Sequence, residues 1–184
     1  MNKSGRIVYQ GKVEDLDVVI RYPEMADLKA MHEYINIISA EKTYISYQGE
    51  TISLEEEEKY IKGQLEKIDK NKTVQLLLFV NGVLSGTSGV DMGDKVLSHR
   101  GRFGIMILKE QRGKGLGRLL TDLVLKEAQE NLSDLKIITL EVFAENETAR
   151  NMYKNFGFTE YGKLAKGIKY KEGFSDEILM SKAI

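Results

Sequence analysis

The sequence contains no cysteine and only two histidines, His32 and His99. The absence of cysteine excludes disulfides, thiolate nucleophiles and zinc sites with cysteine ligands. Two histidines so far apart in sequence argue against a histidine-rich metal site, so we predict no metal. No apolar run approaches the length that spans a membrane, and the opening residues 1–6 lead into none. We therefore expect a cytoplasmic protein that does not act at a membrane.

The charge of the chain has no strong excess of either sign: the formal net charge is -1. A surface that binds nucleic acid normally shows a basic excess, so we expect no nucleic-acid partner. At 184 residues the chain suits one domain with a sizeable core. We predict a single domain over residues 1–184, with its core from about residue 17 onward.

The first half of the chain alternates strand and helix signals without a repeating unit. We predict strands at 7–13, 17–21, 73–80 and 83–92, a helix with Pro23 in its first turn, a loop at 40–51, a helix opened by a Ser53 capping box, an Asn81-Gly82 hairpin and a polar connection at 91–102. This mixed order favours an α+β (mixed α/β) fold. Its central sheet is expected to be mixed, largely antiparallel and flanked by helices.

A run of four glutamates, Glu55–Glu58, opens the second helix. Such a run suggests either a metal or polyamine site or a solvated helix face, because acidic residues in a first turn are stabilised by the helix dipole. We favour the solvated face. The buried face is expected to carry Leu54, Ile61, Leu65 and Ile68.

A glycine turn, Gly113–Gly117, separates an Ile-rich strand from an amphipathic helix. Glycines at a helix start allow a ligand to approach the backbone, so several N–H groups can point at one anion. Arg112, Lys114 and Arg118 add positive charge. The segment lacks the Lys-[Ser/Thr] pair of nucleotide-triphosphate loops and the spacing of the dinucleotide fingerprint. It therefore predicts a pyrophosphate cradle of another kind.

Glu141 is an acid within an apolar strand at 136–143. A carboxylate there is costly unless it is paired or used, so a salt-bridged and a catalytic role both stay open. The helix that follows is predicted to start at Asn146 as N-cap and to end before Gly157. For Tyr153 of this helix, a role as a core aromatic residue and a functional role both stay open. A hairpin at 159–170 and 175–182 closes the chain.

Two segments, Ile105–Gly117 and Leu140–Phe158, resemble the GNAT superfamily of N-acetyltransferases. The first supplies Arg112-x-x-Gly115-x-Gly117 after a strand, and the second supplies Glu141, Asn146 and Tyr153 at the family's spacing. The second segment is similar to that of bacterial ribosomal-protein alanine acetyltransferases. Asp176 with Met180, and His99-Arg100, are similar to amino-acid and phosphinothricin-type members.

The resemblance implies a GNAT-like acyl-CoA N-acyltransferase fold and acetyl-CoA as cosubstrate, with no metal. The residues it assigns to coenzyme A are Ile105, Met106 and Ile107 for the pantetheine arm, Arg112, Gly113, Lys114, Gly115, Leu116 and Gly117 for the pyrophosphate, and Asn146 for coenzyme A or the acceptor.

In the implied mechanism, Glu141 takes a proton from the amine, which is mostly protonated at neutral pH. A water chain or Asp91 is the alternative base. A backbone N–H near Ile107 would stabilise the oxygen of the acetyl group as it gains charge. Tyr153 would return a proton to the departing thiolate. No covalent enzyme intermediate is required, which agrees with the missing cysteine.

The predicted function is transfer of an acetyl group from acetyl-CoA to a primary amine of a small molecule or amino acid. The alternatives are a protein N-terminal or lysine acetyltransferase and a non-catalytic acyl-CoA sensor. The partner is then a small-molecule amine or a peptide N-terminus, and a homodimer would be in keeping with the family. Residues that could contact the acceptor, by position alone, are Tyr44, Tyr47, Glu50, His99 and Tyr170.

Overall fold

The computed structural model describes residues 3–184, so Met1 and Asn2 of the opening segment lie outside the described residues. The strands are β1 Ile7–Val13, β2 Leu16–Arg21, β3 Thr73–Val80, β4 Val83–Met92, β5 Arg100–Ile107, β6 Ile137–Phe143, β7 Thr159–Tyr170 and β8 Gly173–Ala183. The helices are α1 Leu28–Ala40, α2 Leu54–Asp69, α3 Leu116–Asn131 and α4 Glu147–Asn155. Across residues 3–184, no helix is both long and apolar enough to cross a membrane.

The eight strands form one mixed sheet in the order β1-β2-β3-β4-β5-β6-β8-β7. The pairs β1/β2, β2/β3, β3/β4, β6/β8 and β7/β8 are antiparallel, whereas β5 and β6 are parallel. The predicted α+β class with a largely antiparallel sheet is therefore confirmed. The weakly patterned first strand, Ile7–Val13, also has the predicted bounds.

The chain divides into two compact units. The first contains the described residues through Asp91 together with Gly104–Ser133, and the second contains Met92–Phe103 and Asp134–Ile184. Strand β5 contributes its start to the second unit and its end to the first. The single-domain assignment stays a prediction.

The core of the first unit lies on β3, whose residues are buried almost throughout. Its continuous apolar sequence suits a strand that is covered on both sides, and both α2 and α3 pack against it. The helices α1 and α2 contribute to a buried cluster around Leu77 that also contains Met31, Tyr34, Ile38, Ile61 and Leu84.

Two details of the predicted helices are wrong. Pro23 lies ahead of α1, because a short 3-10 turn at Met25–Asp27 comes before the helix. The Ser53 capping box of α2 is confirmed, but Leu54 is half exposed and Glu57 is buried. The face of α2 that packs inward repeats at positions 57, 61, 64 and 68, so it carries Glu57 and Gln64 as well as Ile61 and Ile68.

A buried carboxylate, that of Glu127 in α3, fastens this helix within the first unit. It accepts hydrogen bonds from the Tyr22 hydroxyl at 2.8 Å and from Asn131 at 3.1 Å, and it forms an ion pair with Arg6. Tyr22 is fully buried, so its hydroxyl depends on this acceptor. The contact holds the body of the helix whose first residues belong to the glycine turn.

Replacing Glu127 by Ala should lower the free energy of unfolding by about 1–3 kcal/mol, because the buried Tyr22 hydroxyl loses its acceptor. Arg6 is 43% exposed at its side chain and can be hydrated, so the full cost of a buried unpaired charge is not expected. Glu130→Ala, on the exposed face of the same helix, is the control. Urea unfolding measures both, and equal effects of the two variants would contradict the assignment.

Candidate active site

The end of β5 is bonded to side chains of other elements. The Ser88 hydroxyl donates to the Gly104 carbonyl at 2.8 Å, and the Tyr34 hydroxyl of α1 donates to the Met106 carbonyl at 2.8 Å. The Leu108 N–H, one residue beyond the strand, donates to the Ser85 carbonyl at 2.9 Å. Side-chain donors thus fix the backbone of the segment that contains Ile105, Met106 and Ile107.

The turn after β5 is held by one carboxylate. Glu41, directly after α1, accepts the Lys109 N–H at 2.9 Å and forms an ion pair with Arg112. The Arg112 Nε also donates to the Ile107 carbonyl at 2.9 Å. The guanidinium predicted to add mobile positive charge is therefore fixed by the protein itself, and its clearest role is to shape the turn.

The glycine turn presents a row of backbone donors. Gly113 and Gly115 have φ values of 79° and 75°, in the left-handed region, and Gly115 is the N-cap of α3. None of the N–H groups of residues 113–118 donates to an acceptor within residues 3–184. A Cβ added at Gly113 or Gly115 would meet no atom within 4 Å, so the turn is open on that side. The donor set and the helix N-terminus suit a pyrophosphate.

Two further cations flank the turn. The Lys114 ammonium donates to the Gln111 side chain at 3.0 Å, and Arg118 is exposed on the first turn of α3. Leu116 is fully buried, so its contribution to an anion site is its backbone and the anchoring of the helix. The predicted cradle residues are therefore brought together, with Arg112 acting as their support.

Tyr153 lies on α4 in the second unit and is 7% exposed. Its ring packs edge-on against Phe103 and Phe158, with centroids 5.8 and 6.0 Å away. Burial raises the pKa of the Tyr153 hydroxyl well above its usual value. Within the described chain this hydroxyl has no hydrogen-bond partner, and its oxygen keeps some accessible surface although the ring is buried.

Glu141 lies on β6, between the buried Thr139 and Phe143 on the same strand face. Its carboxylate accepts from Arg102 Nε at 2.7 Å, and the side chains are 28% and 71% exposed, respectively. Glu141 is therefore paired, as one of the two open interpretations expected. An ion pair this exposed contributes at most about 1 kcal/mol, so it leaves the carboxylate able to serve a second role.

Asn146 begins α4 as predicted. Its side-chain oxygen accepts the Ala149 N–H at 3.2 Å, and Gly157 follows the helix with a φ of 85°. The capping oxygen is thus already used, which leaves the side-chain amide NH2 of Asn146 as the group that could bind a ligand.

The residues suggested for acceptor contacts belong to both compact units: Tyr44, Tyr47 and Glu50 to the first, His99 and Tyr170 to the second. Tyr44 and His99 are exposed, and Tyr170 packs its ring against Phe143. Hydrogen bonds from backbone N–H groups of its own loop lower the pKa of Glu50, so it acts locally. Oδ1 of Asp91, the alternative base, lies 3.8 Å from Nζ of Lys67. Tyr47 lines a cavity of the first unit.

That cavity, the α1–α2 cavity, has a volume of about 280 Å³ and lies within the first unit. The residues that define it here are Tyr34, Tyr47, Glu57, Tyr60, Gln75 and Met106. Glu56 and Tyr60 are exposed and form its outer part, whereas Glu57 and Gln75 are 5% and 6% exposed. Its contact with Met106 places it beside the strand segment predicted to bind the pantetheine arm.

Glu57 and Gln75 are functional candidates that the sequence analysis missed. The glutamate run was assigned to a solvated face, and this is wrong for Glu57 because it shares the inward phase of Ile61, Gln64 and Ile68. That spacing of four, three and four residues was present in the sequence. Gln75 carries no comparable signal, since it is one polar residue in an apolar strand.

Among residues 3–184, no three His, Cys, Asp or Glu side chains are grouped so that they could hold a metal ion.

Comparison with known proteins identifies the family of the chain. The profile of the acetyltransferase (GNAT) family matches residues 34–158, which include β5, the glycine turn, Glu141 and Tyr153. The chain belongs to the GNAT family of acetyltransferases. No curated protein sequence matches it.

Solved structures share the fold over most of the chain. An acetyltransferase of the GNAT family from Streptococcus pneumoniae is 29% identical, with a TM-score of 0.84 over 91% of this chain and 99% of that one. A ribosomal-protein-alanine N-acetyltransferase from Brucella melitensis is 21% identical (TM-score 0.76; 90% and 99% covered). Salmonella typhimurium yncA, solved with its cofactor acetyl-CoA, is 18% identical, with a TM-score of 0.76 over 90% of this chain and 93% of that one. The protein is an acetyl-CoA-dependent N-acetyltransferase.

Replacing Glu57 by Gln should stabilise the protein at neutral pH. Burial raises the pKa of Glu57 and His32 of α1 opposes the shift, so the folded state keeps the proton to a higher pH than the unfolded state. Stability is therefore lost as pH rises above the unfolded pKa of about 4.3. We expect the Tm of E57Q to exceed that of the parent by about 2–4 °C at pH 7–8. For a chain of this size, such a shift corresponds to a gain of roughly 1 kcal/mol in the free energy of unfolding.

The difference should vanish toward pH 4, where both states are protonated. Glu55→Gln, at an exposed position of the same helix turn, should show no such pH dependence. Thermal unfolding across this pH range measures it, and a Tm difference that stays constant with pH would contradict the assignment.

Proposed function

We propose that the protein transfers the acetyl group of acetyl-CoA to a primary amine of a small molecule. The observation that carries the choice of a small acceptor is the α1–α2 cavity. Its 280 Å³ equals about nine water molecules at roughly 30 Å³ each, which suits a compact ligand. Met106 contributes to its wall, and the Met106 carbonyl is bonded to Tyr34, another lining residue.

The residues present fit acetyl-CoA. The donors of residues 113–118 hold the pyrophosphate, the main chain of Ile105, Met106 and Ile107 holds the pantetheine arm, and the amide of Asn146 adds a donor. Bound acetyl-CoA supplies an acetyl group activated as a thioester. Glu41 and Arg112 keep the turn in shape for this binding.

Glu141 is the proposed base. An aliphatic amine has a pKa near 10, so it must release a proton before it becomes a nucleophile at pH 7. The Glu141 carboxylate accepts that proton directly or through water. Its partner Arg102 keeps the carboxylate oriented in the resting protein.

Tyr153 is the proposed donor to the sulfur that leaves. Its raised pKa means that the hydroxyl holds its proton at neutral pH and can donate a hydrogen bond. A thiol has a pKa near 8.5 and a free tyrosine one near 10, so complete proton transfer to sulfur is uphill by about 2 kcal/mol or more. Tyr153 therefore acts mainly by stabilising the developing thiolate charge through its O–H.

The alternatives to a small-molecule acceptor are a polypeptide acceptor and a non-catalytic role. A protein N-terminus or a lysine side chain is also a primary amine, but each carries a polypeptide that a cavity of about 280 Å³ does not enclose. A non-catalytic acyl-CoA sensor would have no need for a buried tyrosine whose hydroxyl is kept without a partner.

Thiol release from acetyl-CoA tests the proposal with a panel of aliphatic amines, polyamines, amino acids and tripeptides. Release with a small amine supports it. A tripeptide that outperforms every small molecule would make a chain end the acceptor. Coenzyme A binding without release on any amine would favour the sensor.

Tyr153→Phe should lower kcat by about 10²-fold or more, the lower range for loss of a proton donor. The fold should be unaffected because the hydroxyl has no partner within residues 3–184. Tyr161→Phe, at an exposed position of β7, is the matched control. Steady-state kinetics and coenzyme A calorimetry separate turnover from binding, and an unchanged kcat in Y153F would remove the donor role.

Glu141→Gln and Arg102→Gln together separate a base from an ion-pair partner. If Glu141 is the base, E141Q should lower kcat by about 10²-fold or more, while R102Q retains the carboxylate and most of the activity. If the pair is only structural, both variants should lose the same small stability, up to about 1 kcal/mol, and neither should lose turnover. The pH profile of kcat and thermal unfolding measure the two readouts.

A further inference from the structure

We propose that the acceptor binds in the α1–α2 cavity as an ammonium ion with Glu57 as its counter-ion, and that the enzyme prefers amines without a carboxylate beside the amino group. The inference rests on the proposed function and narrows its substrate class. It excludes free amino acids, which the broader proposal admits.

The first step is a surplus of hydrogen-bond acceptors at the inner end of the cavity. Within the described chain, the Glu57 carboxylate has neither an ion pair nor a hydrogen bond although the residue is 5% exposed. The Gln75 Oε1 is buried without a donor, because the Gln75 amide nitrogen is turned toward the Tyr60 and Thr87 hydroxyl groups at 2.9 and 3.4 Å. A fully buried acceptor such as Gln75 Oε1 is normally satisfied. The Glu57 oxygens beside it keep some accessible surface in the cavity, and the charge of His32 offsets only part of their desolvation, so the two groups together suit a ligand that brings donors.

The second step is the sign of the charge. Glu56 and Glu57 both line the cavity, and no Lys, Arg or His is among the described residues that line it. Hydrogen bonds from the Ser53 hydroxyl and N–H lower the pKa of Glu56, so this carboxylate is ionised at neutral pH. A cation is therefore favoured, and an ammonium ion carries three donors for the available acceptors.

The third step is the wall of the cavity. Tyr34, Tyr47 and Tyr60 surround the acidic end with aromatic rings. Aromatic faces attract ammonium ions and also cover aliphatic carbon, so they suit a compact alkyl or aryl amine. Desolvation of the hydroxyl end of Tyr60 and the charge of Asp91 raise the pKa of Tyr60 to about 12, so its hydroxyl stays protonated beside Gln75 although the rest of the side chain is partly exposed.

These features disfavour acceptors that carry a carboxylate beside the amino group. A free amino acid would bring a carboxylate close to Glu56 and Glu57 with no cation to receive it. Two like charges about 7 Å apart at an effective dielectric constant of about 20 repel enough to weaken binding about 50-fold. An amine that lacks the carboxylate avoids this repulsion.

The test compares matched pairs that differ only by the carboxylate: isopentylamine with leucine, cadaverine with lysine, and tyramine with tyrosine. Leucinamide, which keeps the substituent but not the charge, completes the set. We expect the amines and leucinamide to exceed their amino acids about 50-fold in kcat/KM. In Glu57→Gln the amine KM should rise at least tenfold with the KM of acetyl-CoA unchanged, and the discrimination should fall below about fivefold. Glu55→Gln, outside the cavity lining, should behave as the parent.

Saturation-transfer NMR of isopentylamine with the parent, E57Q and E55Q gives a readout that does not need turnover. Loss of the signal in E57Q alone supports the cavity assignment, even if no small amine is acetylated and the proposed function fails. Amino acids that react as well as their matched amines, or an E57Q variant with the parent's amine KM and NMR signal, would overturn the inference while leaving the acetyltransferase activity in place.

Discussion

The hydrogen bonds that hold the main-chain carbonyl groups at the end of β5 govern the structure around this strand. The Gly104, Met106 and Ile107 carbonyls are bonded to side chains of Ser88, Tyr34 and Arg112, so three separate elements fix the end of this strand. Immediately beyond it, residues 113–118 present N–H groups with no acceptor in the described chain. A segment with fixed carbonyls followed by open donors is prepared to bind an anion without rearranging, which reduces the cost of ordering on binding.

The arrangement of Glu41 explains why positive charge near the turn is not all available to a ligand. Its carboxylate joins the end of α1 to Lys109 and Arg112. Charges that are paired within the protein hold geometry, whereas exposed cations such as Arg118 can respond to a bound phosphate. For the proposed pyrophosphate cradle, we therefore expect the binding energy to depend first on oriented backbone donors and only second on side-chain charge.

Local patterns predicted the parts of the molecule that depend on neighbouring residues. The Asn81-Gly82 hairpin, the Ser53 capping box and the Asn146 N-cap are confirmed because each is decided within four residues. A salt bridge was one of the two roles left open for Glu141, but the partners of Glu141 and Arg112 were not predicted, since they lie 39 and 71 residues away in sequence. The burial of Glu57 was not predicted, because four consecutive glutamates are typical of a solvated helix turn. Its helical spacing from Ile61, Gln64 and Ile68 nevertheless places it on the inward face of α2.

The two glutamates differ in what their surroundings do to a carboxylate. Glu141 faces an exposed guanidinium in a partly solvated position, where pairing is worth at most about 1 kcal/mol and water can replace the partner. Glu57 is buried beside tyrosines with no hydrogen bond or ion pair among residues 3–184, and the charge of His32 offsets only part of its desolvation cost. A desolvation cost of this kind is typical of binding sites, where a bound ligand offsets it. The unpaired state of Glu57 is therefore stronger evidence for a binding role than the mere presence of an acid on an inner strand.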